Sequence, residues 1–200
     1  MMNLGVLISG RGSNFGAIAH AVAAGTVRAR ISLVASNREE AAGLDRARQM
    51  NLNAQVIPSA GRVREEFERD LLAALNAADV DHVCLAGFMR VLSPWFVRTF
   101  RGHILNIHPS LLPSFPGMDA QKQALEYGVT LSGCTVHLLD EGVDTGPIIL
   151  QAAVPVLDGD TVEALSARIL EQEHRIYPEA VGLLAENRIQ VRGRRVVLKR

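Results

Sequence analysis

Short apolar runs alternate with helical patterns along the first half of the chain. Nearly continuous apolar runs are typical of strands buried on both faces of a sheet. By this criterion strands are predicted at 4–9, 31–35, 54–57, 82–86 and 104–107. Apolar residues at helical spacing predict helices between them at 14–24, 41–50 and 63–78. Repeated strand–helix–strand units indicate a mostly parallel sheet with right-handed crossovers.

The pattern changes after a proline-rich stretch at 109–117, which predicts an ordered surface loop. A short helix is predicted at 119–127. Two longer apolar runs follow, at 132–139 and 148–156, and they are long enough to pair as antiparallel strands.

The C-terminal part carries the longest helical stretch, at 161–185. Pro178 should kink this helix, because proline removes one helical hydrogen bond. The segments 189–191 and 195–198 predict a small terminal hairpin. The whole pattern predicts an α/β fold: a Rossmann-like, mostly parallel sheet with helices on both faces and an antiparallel C-terminal extension.

Composition narrows the functional classes. Hydrophobic residues make up 48% of the 200 residues and charged residues 21%, which is typical of a globular chain that can bury a core without disulfides or metal. Lys and Arg together number 21, as do Asp and Glu, so the net charge is zero. A general nucleic-acid binder would show a basic excess. We therefore expect small-molecule substrates and no nucleic-acid partner; a small anion remains compatible, because a few backbone amides can hold a phosphate.

The N-terminal sequence and the two cysteines indicate the cellular compartment in which we expect the protein. The start of the chain has no basic leader and no small-residue cleavage pattern, which indicates a first strand rather than a signal peptide. No apolar run is long enough to span a membrane. Cys84 and Cys134 each lie in an apolar run, which favours buried, reduced thiols over a disulfide or a metal site. These features predict a cytoplasmic protein with no membrane contact and no metal.

The first candidate site is the sequence Ser-Gly-Arg-Gly-Ser-Asn at 9–14, directly after the first strand. Its glycines let the backbone turn tightly, and Ser13 or Asn14 can cap the next helix, whose free amides suit a phosphate. The alternative is an ordinary glycine turn with a cap. The spacing is not the dinucleotide fingerprint, because Phe15 stands where the third glycine belongs.

Two further motifs end later strands. The segment 85–92 follows the fourth strand, although a strand that runs into a turn would give the same pattern. In the segment 105–113, Asn106 and His108 point to the same face of the fifth strand. A lone histidine is usually structural, but a second polar group beside it favours a site. All three motifs lie at the carboxyl ends of predicted parallel strands, where open α/β sheets hold their ligand crevice.

An acidic loop at 140–147 lies between the two late strands and contains three carboxylates and two glycines. A solvated acidic turn is the commonest interpretation of such a run. The functional alternative is that one carboxylate folds back onto His108 and favours its imidazolium form, which can act as an acid or stabilise an oxyanion. The residues alone leave open which of Asp140, Glu141 and Asp144 does so.

A smaller candidate is Glu173, which lies four residues after Ile169 on the apolar stripe of the long helix. It is either a glutamate at the edge of the stripe whose head reaches water, or a carboxylate aimed at a bound amine. The sequence leaves both interpretations open.

These motifs together resemble a known family. The segments 106–113 and 133–147 resemble the folate-dependent formyltransferases generally. The Gly-Ser-Asn loop and the Glu-Gln-Glu-His stretch at 171–174 are similar to the phosphoribosylglycinamide formyltransferases of purine (IMP) biosynthesis. The likeness extends from 7 to 178. It breaks at 118–121, where Met-Asp-Ala-Gln stands in place of histidines found in other members, and we assign no catalytic role there.

The resemblance implies an enzyme that transfers the formyl group of 10-formyltetrahydrofolate, a co-substrate, to the amine of 5'-phosphoribosylglycinamide. The products would be formylglycinamide ribonucleotide and tetrahydrofolate, and no metal would take part. It also implies one formyltransferase domain over 1–200, with a phosphate-binding half at 1–100 and a catalytic and folate-binding half at 101–200.

The resemblance further implies three groups of site residues. The catalytic residues would be Asn106, His108 and Asp144. The ribonucleotide would bind Gly12, Ser13, Asn14, Leu170, Glu171, Gln172 and Glu173. The folate would bind Arg64, Met89, Arg90, Val91, Leu92, Asn106, Asp140, Glu141, Gly142, Val143 and Asp144.

Several alternatives share parts of this pattern. Another folate formyltransferase, acting on methionyl-tRNA or a sugar amine, or a formyltetrahydrofolate hydrolase would have the same core. Those relatives carry an additional C-terminal or N-terminal domain for which we expect no room here. A non-catalytic nucleotide-binding module would explain the glycine loop but not Asn106, His108 and Asp144. We expect a monomer or a homodimer.

Overall fold

The computed structural model describes residues 1–100 and 102–199. Positions 101 and 200, which fall in the predicted second half, lie outside the described residues. The strands are β1 (Met2–Ile8), β2 (Ala29–Ser36), β3 (Ala54–Val56), β4 (His82–Leu85), β5 (Ile104–His108), β6 (Leu131–Leu138), β7 (Ile148–Pro155), β8 (Ile189–Arg192) and β9 (Arg195–Leu198). The helices are α1 (Ser13–Ala23), α2 (Ala42–Gln49), α3 (Arg64–Ala77), α4 (Pro94–Thr99), α5 (Ala120–Tyr127) and α6 (Val162–Ala185).

One sheet joins the strands in the order β3-β2-β1-β4-β5-β6-β7-β9-β8. The first five strands in this order run parallel, whereas β6 pairs antiparallel with β5 and β7 pairs antiparallel with β6. This arrangement confirms the predicted mostly parallel sheet with an antiparallel extension. The terminal hairpin of β8 and β9 is also confirmed, and the pair Ile148 and Arg195 joins it to β7.

Hydrophobic clusters cover both faces of the sheet. On one face α1, α2 and α6 pack on the strands, and Phe15 is fully buried there. On the other face α3 and α4 contribute a second cluster around Phe67. Neighbouring residues of β1 divide between the two, since Val6 joins the first cluster and Leu7 the second. This alternation follows from the two-residue period of a strand, and it confirms the prediction of helices on both faces.

The sequence pattern missed α4, which has only six residues and so completes too few turns for a hydrophobic period to emerge. Its start is nevertheless well defined. Ser93 is the N-cap, and its Oγ accepts a hydrogen bond from the Phe96 N–H at 3.2 Å.

The predicted side-chain cap of α1 is wrong. The helix begins at Ser13, and its N-cap is Gly12, in a left-handed conformation with φ 65° and no side-chain cap hydrogen bond. Ser13 and Asn14 therefore lie inside the first turn, where their side chains can make other contacts. Glycine suits the cap position because it adopts positive φ at little cost.

Three further expectations concern the two cysteines, the proline of the long helix and membrane-spanning segments. Cys84 and Cys134 are buried and unpaired, as predicted, and burial raises the pKa of the Cys84 thiol to about 12. Pro178 lies inside α6, which continues past it to Ala185, and the kink stays a prediction. Among the helices of the described ranges, none combines the length and the apolar character needed to cross a membrane.

A single buried hydroxyl ties α6 to the middle of the sheet. The Tyr177 Oη lies 3.0 Å from the carbonyl oxygen of Leu85, the last residue of β4, and 3.1 Å from that of Leu105, the second residue of β5. We expect Tyr177→Phe to lower the free energy of unfolding by about 1–3 kcal/mol, because these buried oxygens lose their shared donor. Urea denaturation measures the effect.

Tyr127→Phe is the matched control, since Tyr127 is 80% exposed. It should change the free energy of unfolding by no more than about 0.5 kcal/mol. Equal denaturation midpoints for the two variants would contradict the assigned role of the Tyr177 hydroxyl.

Candidate active site

The polar centre of the structure is built on the end of β5. Asn106 and His108 alternate with apolar residues on this strand, so they project toward the same side, and the loop that joins β6 to β7 brings Asp144 to them. His108 is buried and Asn106 is partly buried. The structure thus brings together the three residues that were predicted to be catalytic.

The Asp144 carboxylate is the hub of these contacts. Its Oδ2 lies 3.3 Å from the His108 Nδ1 and accepts a hydrogen bond from the Gly117 N–H at 2.8 Å. Its Oδ1 lies 3.5 Å from the Asn106 Nδ2 and 3.6 Å from the His137 Nε2. The last two distances are at or beyond the limit of a hydrogen bond, so they describe electrostatic neighbours more than strong bonds.

Surrounding groups determine the charge of Asp144. Desolvation by burial alone would raise the pKa of this carboxyl. The His137 side chain, the Gly117 N–H and the positive character of the two nearby histidines outweigh that effect, and the pKa of Asp144 is lowered from its ordinary value. The carboxylate is therefore ionised at neutral pH. Its residue also has a positive φ of 54°, a conformation that aspartate tolerates better than most residues do.

Both ring nitrogens of His108 face hydrogen-bond acceptors. Nδ1 approaches Asp144, and Nε2 lies 2.8 Å from the Phe115 carbonyl oxygen in the proline-rich loop. An imidazole can donate from both nitrogens only when both carry a proton. The arrangement therefore suits the imidazolium form of His108.

The two other carboxylates of the acidic loop face elsewhere. The Asp140 Oδ1 accepts hydrogen bonds from the Gly142 N–H at 3.0 Å and from the Thr145 hydroxyl at 2.6 Å, both within the loop. Glu141 forms an ion pair of 2.7 Å with Arg98 of α4. Asp144 is thus the carboxylate of the three that contacts His108, which settles the choice that the residue pattern left open.

Sequence reasoning missed His137. This residue is buried on β6, and the antiparallel register places it opposite Asn106, with its Nε2 3.2 Å from the Asn106 Nδ2. A titratable side chain in a strand whose other residues are apolar or carry small hydroxyl groups was the available signal. The register of β6 against β5, which places His137 opposite Asn106, cannot be predicted from the local sequence.

The glycine loop lies against the long helix. The Asn14 Nδ2 donates a hydrogen bond of 2.7 Å to the Glu173 Oε2, and Glu173 is only 7% exposed. The interpretation of Glu173 as an edge residue with its head in water is therefore wrong. Burial raises the pKa of Glu173, and the hydrogen bond from Asn14 offsets this only in part.

Further polar groups surround this buried pair. Within the part of the chain that the structure describes, the Asn14 Oδ1 and the His174 Nε2 are buried without a hydrogen-bond partner. Arg46 of α2, which sequence reasoning missed, reaches the Gly12 carbonyl oxygen at 3.5 Å. Desolvation by burial lowers the pKa of His174, and the positive charge of Arg46 lowers it further. This charge suits an anionic ligand at the N-terminus of α1.

The other predicted ribonucleotide residues are distributed over the surface of α6. Glu171 is exposed, whereas Leu170 and Gln172 are partly buried, and Gln172 accepts a hydrogen bond from Arg175. Of this group, Glu173 is hydrogen-bonded to the glycine loop through Asn14.

The predicted folate residues occupy the neighbouring part of the edge. Arg64 is exposed at the start of α3, and Met89 and Val91 are exposed by 61% and 58%. A cavity of about 450 Å³ adjoins Met89 and Arg90. Its other lining residues are Asn37, Arg38, Glu39, Glu40, Pro58, Ser59 and Ala60, so the cavity is not formed by Asn106, His108 and Asp144.

Within residues 1–100 and 102–199, no group of three or more His, Cys, Asp or Glu side chains is arranged to hold a metal ion. The chemistry available in this cluster is that of an ionised carboxylate, an amide donor and a titratable ring.

Comparison with known proteins places this geometry in context. A phosphoribosylglycinamide formyltransferase of Escherichia coli is 44% identical over 191 residues, which cover 95% of this chain and 90% of that protein. The trifunctional purine biosynthetic protein adenosine-3 of Drosophila pseudoobscura pseudoobscura is 52% identical over 192 residues. The match covers 92% of this chain but only 14% of the length of that relative.

A solved structure and a family model agree with these relatives. The glycinamide ribonucleotide transformylase 1 of Symbiobacterium toebii superposes with a TM-score of 0.97 at 52% identity, covering 100% of this chain and 95% of that one. The family model described as formyl transferase matches residues 2–181. The chain therefore belongs to the formyl transferase family of enzymes.

Proposed function

We propose that this enzyme transfers the formyl group of 10-formyltetrahydrofolate to the amine of 5'-phosphoribosylglycinamide. The observation that carries the proposal is the convergence of Asn106, His108 and Asp144 at the carboxyl edge of the sheet, beside the glycine loop. The names of the relatives supply the acceptor. A carbonyl group placed next to an amide donor and a doubly protonated imidazole is activated for attack by an amine.

The site residues would act as follows. As the amine nitrogen bonds to the formyl carbon, negative charge develops on the formyl oxygen, and Asn106 and the imidazolium of His108 stabilise it. Asp144 holds the imidazolium through the His108 Nδ1. The bond from the formyl carbon to the folate nitrogen then breaks, and that nitrogen gains the proton that the amine loses. The Phe115 carbonyl must leave the His108 Nε2 for that nitrogen to reach the oxyanion.

The glycine loop and Glu173 would hold the ribonucleotide. The amides at the start of α1 suit its phosphate, and Arg46 adds positive charge nearby. Glu173 is a buried carboxylate with one hydrogen-bond donor, Asn14, so it retains acceptor capacity for a hydroxyl or an amine. The folate would lie along Met89 to Leu92 and the acidic loop.

An assay of formyl transfer tests the proposal. The enzyme should form tetrahydrofolate with glycinamide ribonucleotide as acceptor, and much more slowly with methionyl-tRNA or a sugar amine. Release of formate without any amine would instead support a hydrolase. Nucleotide binding in calorimetry without folate binding would support a non-catalytic module.

Asp144→Asn tests the catalytic role of the carboxylate. We expect kcat to fall by roughly 10²–10³-fold, because the imidazolium loses its charge partner while the amide keeps the shape of the side chain. Circular dichroism and the denaturation midpoint should remain close to those of the parent. Asp158→Asn, at an exposed aspartate, is the control and should retain its activity. Near-normal turnover of Asp144→Asn would refute this role.

Glu173→Gln tests the buried carboxylate through the pH dependence of stability. The pKa of Glu173 is raised in the folded state, so the folded protein binds more protons than the unfolded chain does as pH rises above about 4. Stability is therefore lost with increasing pH. We expect Glu173→Gln to unfold at higher urea than the parent near about pH 8, with the difference shrinking toward about pH 4.

The same variant should raise the KM for the ribonucleotide, which links the cost in stability to ligand binding. Glu179→Gln on the solvent side of α6 is the control and should leave both quantities unchanged. A Glu173→Gln variant with parental stability at every pH would show that burial does not penalise this carboxylate.

A further inference from the structure

The segment from Gly87 to Ser93 links β4 to α4 and has alternating exposure. Met89 and Val91 are exposed by 61% and 58%, whereas Leu92 is 7% exposed and the residues at 88 and 90 are partly buried. This alternation places two apolar side chains on the outer side of a short ribbon. An irregular ribbon of this kind keeps its shape only if other groups hold its backbone.

Ser9 holds the start of the segment. Its backbone N–H donates to the Gly87 carbonyl oxygen at 3.0 Å, and its Oγ accepts from the Met89 N–H at 2.7 Å. The hydroxyl proton of Ser9 is committed to the Asn37 Oδ1 at 2.5 Å, so a lone pair of Oγ is free to face Met89. Asn37 is fixed in turn, because its Nδ2 donates to the Ser59 Oγ at 3.0 Å.

Glu68 of α3 holds the end of the segment. Its side chain is buried, with the residue only 1% exposed, and its Oε1 accepts from the Ser93 N–H at 2.6 Å. Its Oε2 accepts a second hydrogen bond from the Ser93 hydroxyl. Burying a carboxylate costs free energy unless the carboxylate is hydrogen-bonded. An apolar side chain would fill the same space in the core without that cost. The presence of Glu68 at this position is therefore explained by its two hydrogen bonds with Ser93.

The residue before Glu68 supports the middle of the segment. The Phe67 ring stacks on the Phe88 ring with centroids 6.4 Å apart, and the Arg90 guanidinium lies 5.4 Å from the centroid of Phe67. Phe88 and Arg90 thus face inward against α3, which leaves Met89 and Val91 to face outward. Anchors at both ends and in the middle fix which side chains the ribbon presents.

We propose that Glu68 and the Ser9–Asn37 pair are positioning residues that set the geometry of the Met89 to Leu92 wall for the folate co-substrate. This inference rests on the proposed function, which supplies the ligand of the wall. A wall that is already ordered loses less conformational freedom when the ligand binds. The affinity of the enzyme for the folate therefore depends also on the groups that order the wall without touching the ligand. None of the anchoring bonds involves Asn106, His108 or Asp144.

Glu68→Ala tests the anchor at the end of the segment. Calorimetry with 5,8-dideazafolate, a folate analogue without a formyl group, should give a Kd increased by roughly tenfold or more, since two hydrogen bonds to a charged group are lost. The KM for the ribonucleotide should stay at its parental value. Hydrogen exchange at the Met89 and Ser93 amides should become faster.

Two further variants sharpen this test. Glu68→Gln keeps an acceptor for the Ser93 N–H and should recover most of the affinity for the analogue, even if Glu68→Ala does not fold. Asp70→Ala removes an exposed carboxylate from the same helix, where it pairs with Arg62, and should bind the analogue like the parent.

The possible failures are distinguishable. Parental affinity in a folded Glu68→Ala variant, or an equal loss of folate and ribonucleotide affinity, would overturn the positioning role and leave the proposed function standing. A parent enzyme that binds no folate analogue would refute the proposed function, and the positioning role with it.

Discussion

Parallel pairing of β1, β4 and β5 makes the chain leave all three strands at the same edge of the sheet. Three segments with candidate chemistry depend on this constraint, because the glycine loop follows β1, the Gly87–Ser93 segment follows β4 and His108 ends β5. The backbone ladders that enforce it are buried between two layers of helices, where exchange with water is excluded. Tyr177 ties two of these neighbouring strands together from α6, since its hydroxyl is shared by the Leu85 carbonyl of β4 and the Leu105 carbonyl of β5.

Two carboxylates in this edge have opposite electrostatic environments. Asp144 has a backbone amide and two histidines around it, and its pKa is lowered although burial opposes the charge. Glu173 has Asn14 as its donor, and its pKa is raised because desolvation prevails. Environments that separate the pKa values of two acids allow one site to hold a fixed negative charge and a responsive one. The fixed negative charge is that of Asp144, which lies beside the His108 imidazole. The group whose charge changes with its surroundings is Glu173, which lies beside the glycine loop.

Across residues 1–100 and 102–199, periodicity in the sequence predicted every strand of the sheet and five of the six helices, because long apolar patterns carry that information. It missed α4, whose six residues are too few to show a helical period. It also predicted a side-chain cap for α1, whose N-cap is instead Gly12 in a left-handed conformation. The site was harder to predict. Strand geometry paired Asn106 with His108, but the position of His137 depends on the register of β6 against β5. The contact of the Phe115 carbonyl depends on how a loop folds back, which spacing does not encode.

The hydrogen bond between Asn14 and Glu173 joins groups 159 residues apart in the chain. A contact of such long sequence separation closes late, since the loop entropy must first be offset by the packing of everything between. During synthesis, a nascent chain that has emerged as far as β5 already contains the glycine loop and His108 but not the carboxylate that faces that loop. The hydrogen bond between Asn14 and Glu173 can therefore form only after α6 has been synthesised and has packed on the sheet beside α1.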